Sequence, residues 1–482
     1  MTRRNFVIVV ADQLRADALG AFGRAGAQTP ELDALAGRGT AFTNAFVQHS
    51  VCSPSRVSFL TGWYPHVRGH RSLYHLLRPH DPNLLRTLKE DGYHVTHVGE
   101  RGDTFAPGAT ELSCDEYGFV EQPAKPWWGT PDDDAPRTFY TGRLDSDGPP
   151  DVDEAAVRTV EAWLGAPPRQ PWVLYVPLFL PHPPFGVAEP WFSLHDRATI
   201  DPPRPRPSGA EPRYMQAIRD RYGLERLQPE DWCEISSTYA GMVSRLDWHV
   251  GRILRALESS GTGDDSVVAF FSDHGEYRGD YGLIEKWTSG LHECLVRTPL
   301  ILAGPGVPSG ERRDALVEMV DLVPTVAELA GTDVHHTHFG RSLLPLLDDN
   351  ATVSTPHRTH AFAEAGFTLA EEPLLERAPW PYDLKAALQH EDPLLAGKAV
   401  AVRTEAWSYV WRLYEPPELY DRDGDPGELH NLAGRAEVAD VEAELRDAVL
   451  HWMVGTADVV PWEEDPRRPT VELPSPARRL TA

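Results

Sequence analysis

Two pairs of polar side chains follow short apolar runs. Asp12-Gln13 comes after Phe6 to Val10, and Asp273-His274 comes after Val267 to Phe271. Ligands of open α/β sheets gather outside the carboxyl ends of the strands, so both pairs can clamp one cation. This mostly hard, oxygen-rich set favours Ca²⁺, with Mn²⁺ or Mg²⁺ as alternatives. Taken singly, an Asp after a buried strand is as often a helix cap.

A cysteine with distinctive flanks lies between these pairs, in Cys52-Ser53-Pro54-Ser55-Arg56, and Leu60-Thr61-Gly62 follows. Arg56 comes one helical turn after Cys52, where its side chain can reach back. The amino end of a helix adds the positive end of a dipole, which suits an anion. A lone cysteine is usually a buried structural residue, but the Pro, the Arg and the Leu-Thr-Gly in register argue against that interpretation.

This run resembles the signature of the type I, formylglycine-dependent sulfatases of the alkaline phosphatase-like superfamily. In that family the pattern directs oxidation of the cysteine to formylglycine. A hydrated aldehyde offers two hydroxyls on one carbon, of which one attacks sulfur and the other later loses its proton and expels sulfate. The resemblance implies that Cys52 becomes the nucleophile and that a formylglycine-generating enzyme is a partner during maturation.

The resemblance also implies roles for three basic residues. Arg56 matches the arginine that holds the formylglycine. Lys286 follows residues 279 to 285, Gly-Asp-Tyr-Gly-Leu-Ile-Glu, and is similar to the family's lysine on sulfate and the leaving oxygen. His182, within Pro-His-Pro-Pro, is similar to a histidine that contacts sulfate and can protonate the leaving group. Outside such a family, a lysine is usually only solvated and a histidine among prolines often packs a loop.

One part of the family pattern is missing. Many sulfatases follow a Gly-Tyr strand with Gly-Lys-x-His, but here Glu100 takes the lysine position and the histidine is absent. Arg101 could supply the charge, and His66 or His70 could fill in from beyond Gly62. The pocket is therefore rebuilt, or the substrate differs from simple sulfate esters.

The first hypothesis for function is metal-dependent hydrolysis of sulfate esters, on a small molecule or a saccharide. The pairing of Asp12-Gln13 with Asp273-His274 also occurs in the related phosphonate monoester hydrolases, so a phosphonate monoester or phosphodiester hydrolase is the alternative. A third hypothesis is a non-catalytic anion-binding protein with a decayed site, which Glu100 and the missing histidine would explain.

Alternating strands and helices must position these residues, which predicts a mainly parallel sheet covered on both faces, an α/β three-layer sandwich. The predicted central strands are Phe6 to Val10, His94 to Val98, Trp172 to Phe179, Val267 to Phe271 and Leu300 to Ala303. Predicted helices are one after Thr29, its expected cap, and Asn83 to Glu90, Asp153 to Leu164, Asp231 to Leu257 and Met319 to Leu329.

The pattern changes near residue 355, so we expect a catalytic domain over 1–355 and a small α+β subdomain over 356–482. Its predicted strands are Val400 to Arg403, Ser408 to Leu413 and Glu418 to Tyr420, followed by a helix from Val438 to Trp452. Three segments, 122–150, 181–212 and 365–395, have no readable code and are expected to form lids or substrate-binding walls, with flexible surface insertions as the equal alternative for the first two.

Composition restricts the partners. The net charge is −26 without a Lys/Arg-rich run, which argues against nucleic acid or an anionic membrane as partner. The first apolar run is too short for a secretory core, and none reaches the length of a membrane span. The four cysteines are far apart, which fits a reducing cytoplasm. The oligomeric state is not readable.

Overall fold

The computed structural model describes residues 3–99, 103–132, 134–145, 148–348, 356–370, 376–461 and 467. Its strands, in chain order, are β1 (Asn5–Ala11), β2 (Gly39–Phe46), β3 (His94–Val98), β4 (Glu116–Gly118), β5 (Tyr140–Arg143), β6 (Trp172–Pro177), β7 (Phe185–Val187), β8 (Ser266–Ser272), β9 (Arg297–Ala303), β10 (Glu311–Glu318), β11 (Ala361–Ala365), β12 (Ala399–Arg403), β13 (Trp407–Arg412) and β14 (Glu418–Asp421).

The α-helices are α1 (Pro30–Gly37), α2 (Cys52–Thr61), α3 (Pro65–Arg68), α4 (Leu84–Glu90), α5 (Ala109–Ser113), α6 (Val152–Leu164), α7 (Trp191–Leu194), α8 (Arg213–Tyr222), α9 (Pro229–Ser259), α10 (Glu293–Val296), α11 (Leu322–Ala330), α12 (Leu344–Leu347), α13 (Asp383–Glu391) and α14 (Ala439–Gly455). Across the described residues, none of these helices combines the length and apolar character that spanning a membrane requires.

Eight strands form the central sheet, in the order β10-β2-β9-β8-β1-β6-β3-β4. All neighbours are parallel except β9, which runs antiparallel to both β2 and β8. Helices α1, α6 and α9 pack against one another, as do α2, α4 and α11, which gives two helical layers. The predicted α/β sandwich with a mainly parallel sheet is confirmed.

The predicted central strands are all present, whereas three further strands of this sheet, β2, β4 and β10, were missed. The mixed polar composition of β2 and β10, with Thr40, Asn44 and three charged residues at 311–313, hid their place in the sheet. Both belong to the sheet because β10 pairs with β2 and β2 pairs with β9. Pairing along one edge sustains strands that side-chain hydrophobicity alone does not predict.

Thr29 is the N-cap residue of α1, as predicted, but its side chain does not do the capping. The Thr29 side chain makes no capping bond, and its Oγ1 accepts from the Gly20 amide instead. Asp247, in the middle of α9, accepts hydrogen bonds from the Glu31 and Leu32 amides at 3.2 and 2.7 Å. A carboxylate from a neighbouring helix thus satisfies the first turn of α1, a contact that local sequence cannot indicate.

The chain after the central sheet forms a second, antiparallel sheet in the order β11-β12-β13-β14. The three predicted strands and the helix α14 are present, and β11 was missed. Trp452 on α14 stacks on Phe362 at 4.8 Å and packs against Tyr64 from the catalytic part. The expected division at 355/356 falls beside residues outside the described part, so the domain boundary stays a prediction.

The three segments predicted as lids or walls carry some regular structure. β5, from the segment 122–150, pairs in parallel with β7, from the segment 181–212. The segment 365–395 contributes α13. These segments are therefore anchored to the fold by backbone pairing or helical packing.

Candidate active site

The two predicted ligand pairs follow neighbouring strands. β1 and β8 are parallel and in register through Ala11 and Ser272, so Asp12 and Asp273 emerge side by side. The backbone N–H of Gln13 donates to Asp273 Oδ1 at 3.1 Å. The backbone of Gln13 is in the left-handed region, with φ of 66°. All of these ligand side chains are fully buried.

Cys52 is the first residue of α2 and lies between these strand ends. Its Sγ is 3.2 Å from His274 Nε2 and 3.8 Å from Asp12 Oδ1. Asp12, Cys52, Asp273 and His274 each offer one ligand atom, all within 4.8 Å of one another. His274 Nδ1 donates to the Gly275 carbonyl at 2.9 Å, which leaves the Nε2 lone pair directed at the cluster. Burial lowers the pKa of His274, so the ring is neutral, as a metal ligand must be.

Arg56 connects the two carboxylates. Its Nε donates to Asp273 Oδ2 at 2.9 Å and an Nη donates to Asp12 Oδ2 at 3.0 Å. Each carboxylate therefore turns Oδ2 to the guanidinium, while the Oδ1 atoms lie 3.9 and 3.8 Å from His274 Nε2. The role expected for Arg56 was to hold residue 52 itself, whereas here the arginine orients the carboxylates beside Cys52.

Lys286 joins the predicted residues into one network. Its Nζ donates to Gln13 Oε1 at 2.7 Å and to Glu285 Oε1 at 2.6 Å, and it lies 3.2 Å from His182 Nε2. His182 Nδ1 donates to the Pro183 carbonyl at 2.6 Å, so Nε2 accepts from the lysine. Burial, the largest single effect, would lower the pKa of Lys286, but Glu285 together with Cys52, Tyr382 and Asp12 outweighs it and raises the pKa well above its usual value.

Gln13 lies beside the cluster of four ligands. Its amide oxygen accepts from Lys286, and its amide nitrogen donates to Glu276 Oε2. The other oxygen of Glu276 accepts from the backbone amides of Arg278 and Glu285. Three of the four predicted metal residues, with Cys52, thus surround one point, and Gln13 borders it.

Sequence reasoning missed Tyr382 and Lys385 on the side of His182, where Tyr382 and Trp128 form an aromatic wall. Tyr382 lies with its hydroxyl 3.4 Å from His182 Nε2, and Trp128 packs edge-on against Tyr382 at 5.6 Å. Lys385, from the same segment as Tyr382, pairs with Glu285 at 3.2 Å. These residues come from the two variable segments 122–150 and 365–395, and no local motif in the sequence marks them.

The substitutes suggested for the missing histidine do not lie in the pocket. His66 Nδ1 pairs with Glu364 at 2.6 Å, and its Nε2 contacts Thr456 at 3.0 Å. His70 has Asp81 at 3.3 Å from Nε2 and donates from Nδ1 to a backbone carbonyl. Both rings are thereby committed to structural contacts, so this suggestion was wrong.

The segment after β3 supplies an unexpected carboxylate. Glu100 and Arg101 lie outside the described residues, so their suggested roles stay predictions. Asp103, just beyond them, places Oδ2 3.4 Å from Arg56 Nε. Its position after a central strand was the signal that could have identified it.

Comparison with known proteins agrees with this geometry. A family model described as Sulfatase matches residues 4–332. The multifunctional alkaline phosphatase superfamily protein PehA of Trinickia caryophylli is 26% identical, covering 95% of this chain and 96% of its own. The iduronate 2-sulfatase of Mus musculus is 28% identical, covering 68% and 69%.

A solved structure is similar over almost the full length. The phosphonate monoester hydrolase of Agrobacterium radiobacter superposes with a TM-score of 0.74 and 25% identity, covering 94% of this chain and 96% of that one. The motif at Cys52, the strand-end ligands and the match over residues 4–332 lead to one conclusion. The chain belongs to the sulfatase family of alkaline phosphatase-like enzymes and is a sulfuric ester hydrolase.

Proposed function

We propose that the protein hydrolyses a sulfate ester through a formylglycine made from Cys52, with one divalent cation held beside it. The observation that carries this proposal is the meeting of Asp12, Cys52, Asp273 and His274 within 4.8 Å. Sulfated small molecules or saccharides are the proposed substrates, since relatives include an iduronate 2-sulfatase and a choline-sulfatase. A formylglycine-generating enzyme is the proposed maturation partner.

The side chains at the site suit both a divalent cation and a formylglycine at residue 52. Asp12, Asp273 and His274, with Gln13 beside them, would hold the cation, which would stabilise charge on the ester. Ca²⁺ is the first expectation, because the ligands are mostly oxygen atoms. Burial, and then the Asp12 carboxylate, raise the pKa of the Cys52 thiol. A protonated thiol is a poor nucleophile, which supports the need for modification at this position.

The basic residues would act on the anion and on the leaving alcohol. Lys286 keeps its proton in the buried site and can neutralise an anionic ester oxygen. Its 3.2 Å contact with His182 Nε2 gives that nitrogen a proton donor beside the leaving group. Arg56 keeps the Asp12 and Asp273 carboxylates oriented. These roles are proposals from position and charge.

The first test is mass spectrometry of the peptide that contains residue 52, from protein made with a formylglycine-generating enzyme. We expect oxygen to replace sulfur with loss of two hydrogens. Cys52→Ala should lower turnover of an aryl sulfate at least about a thousandfold, as loss of a covalent nucleophile does. Cys233→Ala, at a half-buried cysteine on α9, is the matched control and should keep activity. Full turnover by Cys52→Ala would refute the proposal.

The cation can be tested without turnover. Chelator-treated protein should melt at a lower temperature, and added Ca²⁺ should restore the melting temperature, because a ligand of the folded state stabilises it. The Asp273→Asn variant should lose this response. An unchanged melting curve with Ca²⁺, Mn²⁺ and Mg²⁺ alike would contradict a metal site at these residues.

A phosphonate monoester or phosphodiester hydrolase is the second candidate. Gln13 and His274 favour it, as does the superposition on a phosphonate monoester hydrolase. The experiment compares kcat/KM for an aryl sulfate and an aryl phosphonate monoester on the same modified protein. A hundredfold preference for the phosphonate would replace the first proposal, and no turnover of either would favour a non-catalytic anion-binding protein.

The cytoplasm remains the proposed compartment, since all four cysteines are unpaired.

A further inference from the structure

Beside Tyr239, away from the active site, lies a cavity of about 370 Å³. The Tyr239 hydroxyl donates to the Gln13 carbonyl at 2.9 Å, while its ring borders this cavity. The walls come from the loop 24–29, the segment 195–201 and the middle of α9. We propose that this cavity binds a small molecule through an oxyanion group, with Arg278 as the residue that pairs with it.

Arg278 is the observation behind this proposal. The residue is only 5% exposed and lines the cavity. Within the described part of the chain, its guanidinium has no hydrogen bond and no carboxylate within ion-pair distance, and its buried Nε has no partner. The Cζ atom of Arg278 lies over the Tyr239 ring, 5.8 Å from the ring centroid. A buried, unpaired guanidinium is costly unless something supplies the missing acceptors.

Neighbouring carboxylates are already engaged by other arginines. Asp280 pairs with Arg15 at 2.7 Å and with Arg204 at 3.3 Å. Asp17 pairs with the same two arginines, at 2.6 and 3.4 Å. Two carboxylates therefore serve two arginines, and Arg278 adds a positive charge without its own counter-ion.

The cavity wall carries two more carboxylates and one more arginine. Asp201 pairs with Arg24 at 2.8 Å, so these charges compensate each other. Asp196 lies at the surface, and its Oδ1 accepts from the Ala198 amide at 2.9 Å. The balance facing the interior of the cavity is therefore positive, and it centres on Arg278.

The polar groups around Arg278 suit an oxyanion. Ser244 brings a hydroxyl to the wall beside His195, whose Nε2 lies 2.9 Å from Oγ, whereas the Thr29 and Thr199 hydroxyls donate to Asp33 Oδ1 and the Asp196 carbonyl. A guanidinium presents parallel N–H groups that match phosphate, sulfate or carboxylate. The volume exceeds that of a bare ion and lies within the range of small-molecule sites, which leaves room for an organic body along the aliphatic wall.

The test counts bound anions by equilibrium dialysis with inorganic phosphate, sulfate and acetate as separate probes. Because the active site also attracts oxyanions, the reference is the full-length Lys286→Gln variant, in which that site is weakened. We expect this variant to bind one phosphate or sulfate per chain. Adding Arg278→Gln should weaken this binding at least tenfold, while adding Arg38→Gln, at an exposed arginine paired with Glu258, should leave it unchanged.

A second variant covers failure of Arg278→Gln to fold. Ala27→Glu keeps Arg278 and places a tethered carboxylate in the cavity wall, so it should also block binding of the probe. Retention of phosphate by both variants would overturn the proposal, as would absence of binding for all three probes in Lys286→Gln. Binding of acetate in place of phosphate and sulfate would assign the head group as a carboxylate.

Discussion

At the scale of single residues, the charge of Lys286 depends on two opposing effects. Burial removes water from the ammonium group and favours the neutral amine, whereas the adjacent Glu285 carboxylate favours the cation. Glu285 and the other anionic neighbours together outweigh burial, so the lysine stays charged although it is buried. Lys385 pairs with the other oxygen of Glu285, and within the described part of the chain it makes no hydrogen bond to Gln13 or His182.

This difference makes the two lysines a matched pair. Lys286→Met should lower kcat/KM for an aryl sulfate by about a hundredfold or more, the usual loss when a buried charge that stabilises a transition state is removed. Lys385→Met should cost less than about tenfold, since Lys385 contacts Glu285 and the Tyr382 ring and not Gln13 or His182. Steady-state kinetics on both variants measure the contrast. Equal losses would show that both lysines act merely by neutralising Glu285.

At the scale of elements, Asp153 connects helix α6 to the end of β6. Its carboxylate accepts hydrogen bonds from the backbone amides of Phe179 and Leu180 at 2.5 and 2.8 Å. Leu180 precedes His182 by two residues, so these bonds hold the segment that carries the histidine. Burial, and then the charge of Asp151, raise the pKa of Asp153 to about 7. The fold thus favours the protonated acid over much of the neutral and acidic range.

A pH dependence follows from that raised pKa. The unfolded chain releases this proton near 3.8 and the folded chain near 7, so between these values the folded state holds the extra proton. The stabilisation is therefore full at low pH and is lost as the pH rises toward 7, by at most about 1.4 kcal/mol per pH unit. Asp153→Asn should remove this contribution.

Urea unfolding of both proteins at pH 5, 6, 7 and 8 measures that difference. We expect the wild type to lose stability relative to Asp153→Asn as the pH rises, with the change levelling off above pH 7. Parallel stability curves for the two proteins would contradict the raised pKa of Asp153.

At the scale of the whole molecule, Arg358 holds the small sheet against the central one. It pairs with Glu318, the last residue of β10, at 2.7 Å and with Asp321 through its Nε at 3.0 Å. Glu318 also accepts from the Phe362 amide on β11 and from the Tyr64 hydroxyl. Two buried carboxylates therefore share one guanidinium at the junction of the two sheets, and His357 Nε2 also lies 3.2 Å from Asp321 Oδ2.

Removing that guanidinium should destabilise the whole protein. Arg358→Met takes the guanidinium from the buried Glu318 and leaves Asp321 with His357, and breaking a buried pair in this way typically costs about 3–5 kcal/mol. Arg341→Met, at an exposed arginine close to the same junction, should change the free energy of unfolding by less than about 1 kcal/mol. Chemical denaturation of both variants gives the comparison. Similar small losses would mean that packing of Trp452, Phe362 and Tyr64 holds the sheets together.

The sequence by itself determined the class of the sheet and which metal-capable side chains meet beside Cys52. Asp12, Asp273 and Cys52 could be assigned because strand ends and the Cys-x-Pro-x-Arg run are local patterns, written in consecutive residues. The apolar strands β1, β6 and β8 were predictable for the same reason, since a fully buried parallel strand needs a continuous apolar run. Their parallel order then brings their carboxyl ends to one edge.

Only the tertiary structure decided which distant groups complete the site. Tyr382, Lys385 and Trp128 come from variable segments and reach His182 or Glu285 through packing that no local periodicity encodes. The same holds for Asp247 as the cap of α1 and for Arg278 without a counter-ion. Side-chain pairing across hundreds of residues depends on the relative placement of whole elements, whereas a strand or a motif depends mainly on its own neighbours along the chain.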